Sequence, residues 1–127
     1  MNEYHVRLAT NMAKKSVSKF RLGAVLARKN RVISTGFNAM HKTHTIMQKY
    51  NVDKSWAPGL HAEVHACIGV PAADLFGSDL YVARILKNGE VAMAKPCVIC
   101  QKFLNDVGIR RVYYTNQQGK VEMLWER

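Results

Sequence analysis

The segment His61-Ala62-Glu63 lies upstream of Pro96-Cys97-Val98-Ile99-Cys100. One imidazole and two thiolates make three zinc ligands. Three protein ligands leave the fourth position of a tetrahedral zinc open to water, the layout of a catalytic rather than a structural site. Glu63, two residues from His61, is suited to carry protons for that water. Spacing then dictates where the pieces must sit. Residues i and i+2 do not face each other along a helix, so His61 and Glu63 share a site only at a helix start. Pro58-Gly59 just upstream favours that placement. Cys97 and Cys100 are i and i+3 and share one helical face. Pro96 suits the beginning of that helix, whose N-terminal partial positive charge helps keep thiols ionised.

Each half of the pattern alone has a blander reading. A His-x-Glu is usually a surface pair, and a C-x-x-C reads as a redox pair or half of a structural zinc site. A four-Cys site needs a second pair, and Cys67 is the only other cysteine. A redox role leaves His61 and Glu63 without a task. His61 and His65 are i and i+4, as in zinc proteases, but that motif needs Glu directly after the first His. Here the order is His61-Ala62-Glu63-Val64-His65. His65 is therefore expected to pack beside the site, and Cys67 to be a small core residue.

The elements that must position these residues follow from periodicity. Glu3 to Lys19 reads as an amphipathic helix with Leu8, Ala9, Met12, Ala13 and Val17 on its apolar stripe. Leu22 to Ala27 and Arg31 to Phe37 read as strands joined at Arg28-Lys29-Asn30, where Asn30 best tolerates a left-handed backbone. Asn38 to Leu60 is a long polar stretch, and such a stretch is usually functional or partly helical. His61 opens a helix through Ile68, limited by Gly69 and Pro71. Leu80 to Leu86 is a third strand, followed by a turn at Asn88-Gly89. Cys97 to Val107 is a helix ended by Gly108, Ile109 to Thr115 a fourth strand, and Val121 to Trp125 a short fifth. The order implies one mixed sheet with helices packed on it.

The chain has 127 residues and is 48% hydrophobic, which suits a single domain over residues 1–127 with its own core. No apolar run is long enough to span a membrane, and residues 1–20 lack a signal-peptide core. A cytoplasmic location without a membrane partner is expected, and so few cysteines fit a metal site in a reducing compartment. The net charge of +10 is uneven: residues 1–60 carry 11 Lys/Arg against 2 Asp/Glu, residues 61–127 carry 8 against 7. A basic field of this kind attracts phosphates. Lys14, Lys15, Lys19, Arg21, Lys42, His44 and Lys49 are the candidate contacts. Phe20, Tyr50 and Trp56 lie among them and could stack on bases, although such aromatics more often pack their own loop. Gly36-Phe37-Asn38 reads either as a strand-ending turn or as a device that brings Asn38 to a sugar hydroxyl or base edge.

H-x-E followed by P-C-x-x-C is the signature of zinc nucleobase deaminases. With Leu22-Gly23-Ala24-Val25-Leu26, Gly36-Phe37-Asn38 and Gly108-Ile109-Arg110-Arg111-Val112-Tyr113-Tyr114, the chain resembles the cytidine deaminase superfamily, and within it the CMP/dCMP-type (deoxycytidylate) deaminases. The resemblance implies a three-layer α/β/α sandwich with a central mixed sheet. It implies one Zn²⁺ per chain on His61, Cys97 and Cys100, Glu63 as catalytic proton shuttle, and Asn38 against the substrate's sugar. The substrate implied is a cytosine nucleotide such as dCMP, and a homo-oligomer is a possible assembly. Single-stranded-DNA cytosine deaminases and tRNA adenosine deaminases share the same core, so cytosine or adenine in single-stranded nucleic acid is the competing substrate. A silent zinc-stabilised module that only binds nucleic acid is a third reading, which the intact Glu63 opposes.

Overall fold

The N-terminal apolar stripe forms a helix, but one shorter than its spacing suggests. In the computed structural model, which describes residues 1–52 and 57–127, α1 runs Glu3–Ala13. The side-chain oxygen of Asn2 caps it by accepting from the amides of Tyr4 and His5. His5, Ala9, Met12 and Ala13 are buried on one face. The expected run to Lys19 fails at Ser16. The amides of Lys15 and Ser16 turn back onto the carbonyls of Met12 and Ala13, and the buried Ser16 hydroxyl donates to the Asn38 carbonyl at 2.9 Å. A serine with a partner outside the helix favours leaving it. Val17, expected on the buried stripe, is consequently 84% exposed.

β1 (Arg21–Arg28) and β2 (Arg31–Phe37) form the expected antiparallel hairpin. Lys29 and Asn30 both have positive φ, 51° and 63°, as a two-residue turn matched to strand twist requires. β3 (Asp79–Ile85), β4 (Val91–Ala92), β5 (Arg111–Thr115) and β6 (Val121–Glu126) complete a six-stranded sheet ordered β2-β1-β3-β5-β6, with β4 beside β3. β3 and β5 are parallel, and the other neighbours are antiparallel. The sheet is therefore mixed. The helices between the strands are α2 (Thr45–Tyr50), α3 (Ala62–Cys67), α4 (Ala72–Leu75) and α5 (Val98–Asp106). α2 supplies the helical portion of the long polar stretch. α4 and β4 went unforeseen: Pro71, read only as a stop, also begins the single turn of α4, and two residues of β4 are too few to show a period.

The sheet is buried on both faces, and its strands alternate accordingly. Ala24, Leu26, Leu80, Val82, Val112 and Tyr114 join residues of α3 and α5 in one core cluster. The intervening Val25, Ala27, Tyr81, Ala83 and Tyr113 pack with Ala9 of α1 in the other. Helices thus cover both faces, giving the three-layer α/β/α arrangement.

The helix that carries Glu63 lies unusually close to the sheet. A Cβ on Gly36 of β2 would stand 2.5 Å from the Ala66 amide nitrogen and 2.8 Å from the Ala62 carbonyl oxygen. Backbone meets backbone there, so Gly36→Ala must push α3 outward. Forcing extra atoms into such a contact costs roughly 1–3 kcal/mol. The variant is expected to unfold at lower urea concentration and to lose more activity than its folded fraction explains. Wild-type stability would show that α3 does not seat against β2 in this way.

Candidate metal centre and substrate cavity

Two helix starts converge beside the C-terminal end of β2. The chain leaves β2 at Phe37, and Ala39 then pairs with Leu60 through two backbone hydrogen bonds of 2.9 Å. That bridge ties the two ends of the long polar segment together. It sets Asn38 and His61, the residues flanking it, on the same side. Gly59 has a φ of 82°, and a Cβ there would strike the carbonyl oxygens of Ala39 and Met40. Only glycine fits that approach to the bridge.

His61 is the N-cap residue of α3 and Cys97 that of α5, yet neither side chain caps its own helix. Both are left to face one another. The Nδ1 of His61 lies 3.3 Å from the Cys100 Sγ and 3.6 Å from the Cys97 Sγ, and the three donor atoms fall within 4.8 Å of each other. Zinc bonds of about 2.0–2.1 Å to nitrogen and about 2.3 Å to sulfur, at a tetrahedral angle, place N and S about 3.6 Å apart. The donor set and its spacing fit one zinc, with no fourth protein ligand in the cluster among the described residues. On the far side of the ring, Nε2 lies 2.8 Å from the Ala57 carbonyl oxygen. An Nε2–H donated to that carbonyl leaves Nδ1 free to bind metal and holds the ring's orientation. No side-chain pattern marks a backbone carbonyl in this role, so nothing in the sequence points to Ala57.

Electrostatics within the cluster match its chemistry. The hydrogen bond from the Cys100 thiol pulls the Cys97 pKa down to about 4, with help from His61. Burial lowers the His61 pKa, but hydrogen bonds to Cys97 and the Ala57 carbonyl more than offset it and leave it at about 9. Cys100, bonded to Cys97 and buried, is pushed up. Protons here are held between the donor atoms, and a metal ion would displace them. Glu63 is 4% exposed. Burial raises its pKa, against the opposing influence of the His61 imidazole and the Cys100 side chain.

Above this floor is a cavity of about 450 Å³. Phe20, Leu22, Met40, Leu60 and Met93 give it apolar walls, while Asn38, His61, Glu63, Arg84, Lys95 and Cys97 supply its polar groups. Of the candidates named from the sequence, His61, Glu63, Cys97, Cys100 and Asn38 come together here. The Asn38 amide also does structural work: its oxygen accepts from the Leu22 amide at 2.9 Å, and its nitrogen donates to the Phe20 carbonyl. It therefore straps the end of β2 to the start of β1 and still lines the cavity.

The basic candidates lie elsewhere. Lys14 and Lys15 are exposed beyond α1, and Lys19, Arg21, Lys42, His44 and Lys49 are not on the cavity wall. Arg21 falls on the α1 side of the sheet by alternation with buried Val25. The Lys19 ammonium sits over the Phe20 ring, and His44 caps α2 by accepting from the Ile46 amide. Tyr50, one of the candidate base-stacking aromatics, instead packs edge-on against Phe103 and donates to Asp106. Trp56 lies outside the described residues. His65 accepts from the Phe37 amide and packs against its ring, as expected of a residue beside the site. Cys67 is buried in the core.

Arg84 and Lys95 were missed. The signal for Arg84 was present in the alternation Leu80-x-Val82-x-Arg84, which puts all three on the face that bears the metal ligands.

Comparison with known proteins agrees with this geometry. Residues 1–116 match the family model described as the cytidine and deoxycytidylate deaminase zinc-binding region. The deoxycytidylate deaminase of Mycobacterium phage D29 is 26% identical over 131 residues, which span 91% of this chain and 94% of that protein. The cytidine deaminase of Burkholderia pseudomallei superposes with a TM-score of 0.66 at 20% identity, covering 97% of this chain and 91% of that one. The dCMP deaminase of cyanophage S-TIM5 superposes with a TM-score of 0.61 at 20% identity, covering 91% and 82%. Among the described residues, no helix is long and apolar enough to cross a membrane.

Proposed function

The chain belongs to the cytidine and deoxycytidylate deaminase family, and on that premise we propose that it converts cytosine to uracil in a deoxycytidine nucleotide such as dCMP, with water consumed and ammonia released. The observation that carries this reading is the buried Glu63 beside the His61, Cys97 and Cys100 donor atoms at the floor of a cavity. One acid next to a three-ligand metal cluster is the minimum needed for hydrolysis at a ring carbon.

His61, Cys97 and Cys100 hold the zinc. A zinc ion held there would supply the acidification of water that makes a nucleophile at neutral pH. The protein's own residues do the rest. The Ala57 carbonyl keeps the His61 ring in its ligating orientation. Glu63 accepts the proton that the attacking water gives up and delivers it to the ring nitrogen, then takes the remaining proton of that oxygen and passes it to the departing amine. The apolar walls from Leu22, Met40 and Leu60 seat the flat base and keep other water away from it. Asn38 has a second amide proton beyond its strap to Phe20, and that proton is the one offered to the sugar. The whole of residues 1–127 acts as one deaminase domain.

A small nucleotide is favoured over a polymer because Lys19, Arg21, Lys42 and His44 form no continuous wall with the cavity. The expected result is turnover of free dCMP well ahead of cytosine in a single-stranded oligonucleotide, measured as uracil released. Oligonucleotide binding should be weak, with a slope of log K against log salt no steeper than about −0.7, the value for one neutralised phosphate on a single strand. Rapid deamination of the oligonucleotide together with a slope several times steeper would overturn the small-nucleotide reading.

A further inference from the structure

We propose that Arg84, seconded by Lys95, is the specificity-determining residue that reads a phosphate monoester on the substrate. This inference rests on the deaminase reading for the location of the base.

β3 delivers Arg84 to the cavity. Leu80 and Val82 point into the core on the metal side of the sheet, and Arg84 follows two residues on, opposite Leu22 of β1 in register. Both Leu22 and Arg84 line the cavity. The Arg84 guanidinium carbon is 4.9 Å from the centroid of the Phe20 ring. Cation–π attraction holds the group there without using any of its N–H donors.

Those donors lack an anion. Each ion pair formed among the described residues involves Arg111, and none involves Arg84 or Lys95. The Nε of Arg84 is buried and has no hydrogen-bond partner. A buried donor left unpaired is unfavourable until an acceptor reaches it. Lys95, just before the Pro96-Cys97 pair, puts a second cation on the same wall. Among the described residues Glu63 is the one acid lining the cavity, and it lies at the floor with the donor cluster. The wall therefore carries two positive side chains in excess. A planar guanidinium fork and an ammonium lining one cavity suit a doubly charged phosphate monoester. With the base at the metal end, a 5′-phosphate is the part of a mononucleotide left to occupy this wall. The cavity of about 450 Å³ lies within the range for small-ligand sites.

The test uses the zinc-loaded protein and two readouts. Deamination of dCMP and of deoxycytidine is compared, and binding of the products dUMP and deoxyuridine is measured by calorimetry. Wild type should prefer the phosphorylated member of each pair. Removing a charged hydrogen-bonding group from a ligand costs about 10- to 100-fold. Arg84→Met should therefore lose about 10- to 100-fold more on dCMP than on deoxycytidine, mainly in KM, and dUMP affinity should fall by a similar factor. Arg84→Lys should recover part of that loss. Lys95→Met, at an exposed position with no packing role, should lose in the same direction by a smaller factor. It covers the case in which Arg84→Met does not fold.

Equal losses on dCMP and deoxycytidine in both Met variants, or a wild type indifferent to the phosphate, would overturn the assignment. The two readings fail separately. Deamination of deoxycytidine and dCMP at the same rate refutes the phosphate site and leaves the deaminase intact. Arg84-dependent binding of dUMP without any deamination refutes the deaminase and leaves the phosphate site standing.

Discussion

Glu63→Gln is expected to keep one zinc per chain and a folded core, and to deaminate dCMP at least about 10²–10⁴-fold more slowly than wild type. That range is the usual contribution of a single general acid–base step. Glu63 is assigned two successive proton relays, so the loss should lie at the upper end or beyond. Glutamine keeps the size of the side chain and its hydrogen bonding but cannot exchange a proton. Burial makes the alternatives few. Glu63 is the one acid lining the cavity among the described residues. Metal analysis and circular dichroism separate a chemical defect from a folding one. A Glu63→Gln protein that turned over at even a tenth of the wild-type rate would mean that another group moves the proton.

Cys100→Ser is expected to abolish stoichiometric zinc binding and with it all measurable deamination. Cys100 is 1% exposed and its Sγ is 3.3 Å from the His61 Nδ1. A serine oxygen is shorter-reaching, harder and protonated at neutral pH, so two ligands remain where three are needed. Metal that binds the folded state alone stabilises it by mass action, by about 4 kcal/mol at a thousandfold excess over its dissociation constant. For a domain of this size that corresponds to a midpoint shift on the order of 10 °C or more. Chelation of the wild type should produce the same loss of thermal stability, reversed by adding zinc. One zinc per chain in Cys100→Ser, together with an unchanged unfolding midpoint, would remove Cys100 from the ligand set.

Much of this site was legible before any coordinates. The i, i+2 and i, i+3 spacings demanded two helix starts, and His61 and Cys97 do stand at the starts of α3 and α5. The apolar runs Leu22 to Ala27 and Leu80 to Leu86 marked strands, and the order of elements implied one mixed sheet with helices packed on it. The Arg28-Lys29-Asn30 turn was recognisable because few residues accept a left-handed backbone. These features are local: each is a consequence of helix or strand geometry within a few residues.

What the sequence did not reveal has a common origin in contacts between distant segments. α1 was read as running to Lys19 because its apolar stripe continues to Val17. The Asn38 carbonyl, 22 residues away from Ser16, ends it instead. The basic N-terminal half pointed to Lys19, Arg21 and Lys42 as phosphate contacts; among the described residues these do not line the cavity, whereas Arg84 and Lys95 do. Net charge counts residues but does not say which face of the sheet they occupy.

The sequence by itself determined the residue types of the donor cluster, the acid beside them, and the periods of the main strands and helices. The tertiary structure alone decided that the Ala57 carbonyl holds His61, that Asn38 straps β2 to β1, and that the β1–β3 register sets Arg84 over Phe20. Side-chain identity and spacing encode local geometry directly. A backbone carbonyl or a cross-strand register leaves no pattern along the chain, because its meaning arises only when segments far apart in sequence are packed together.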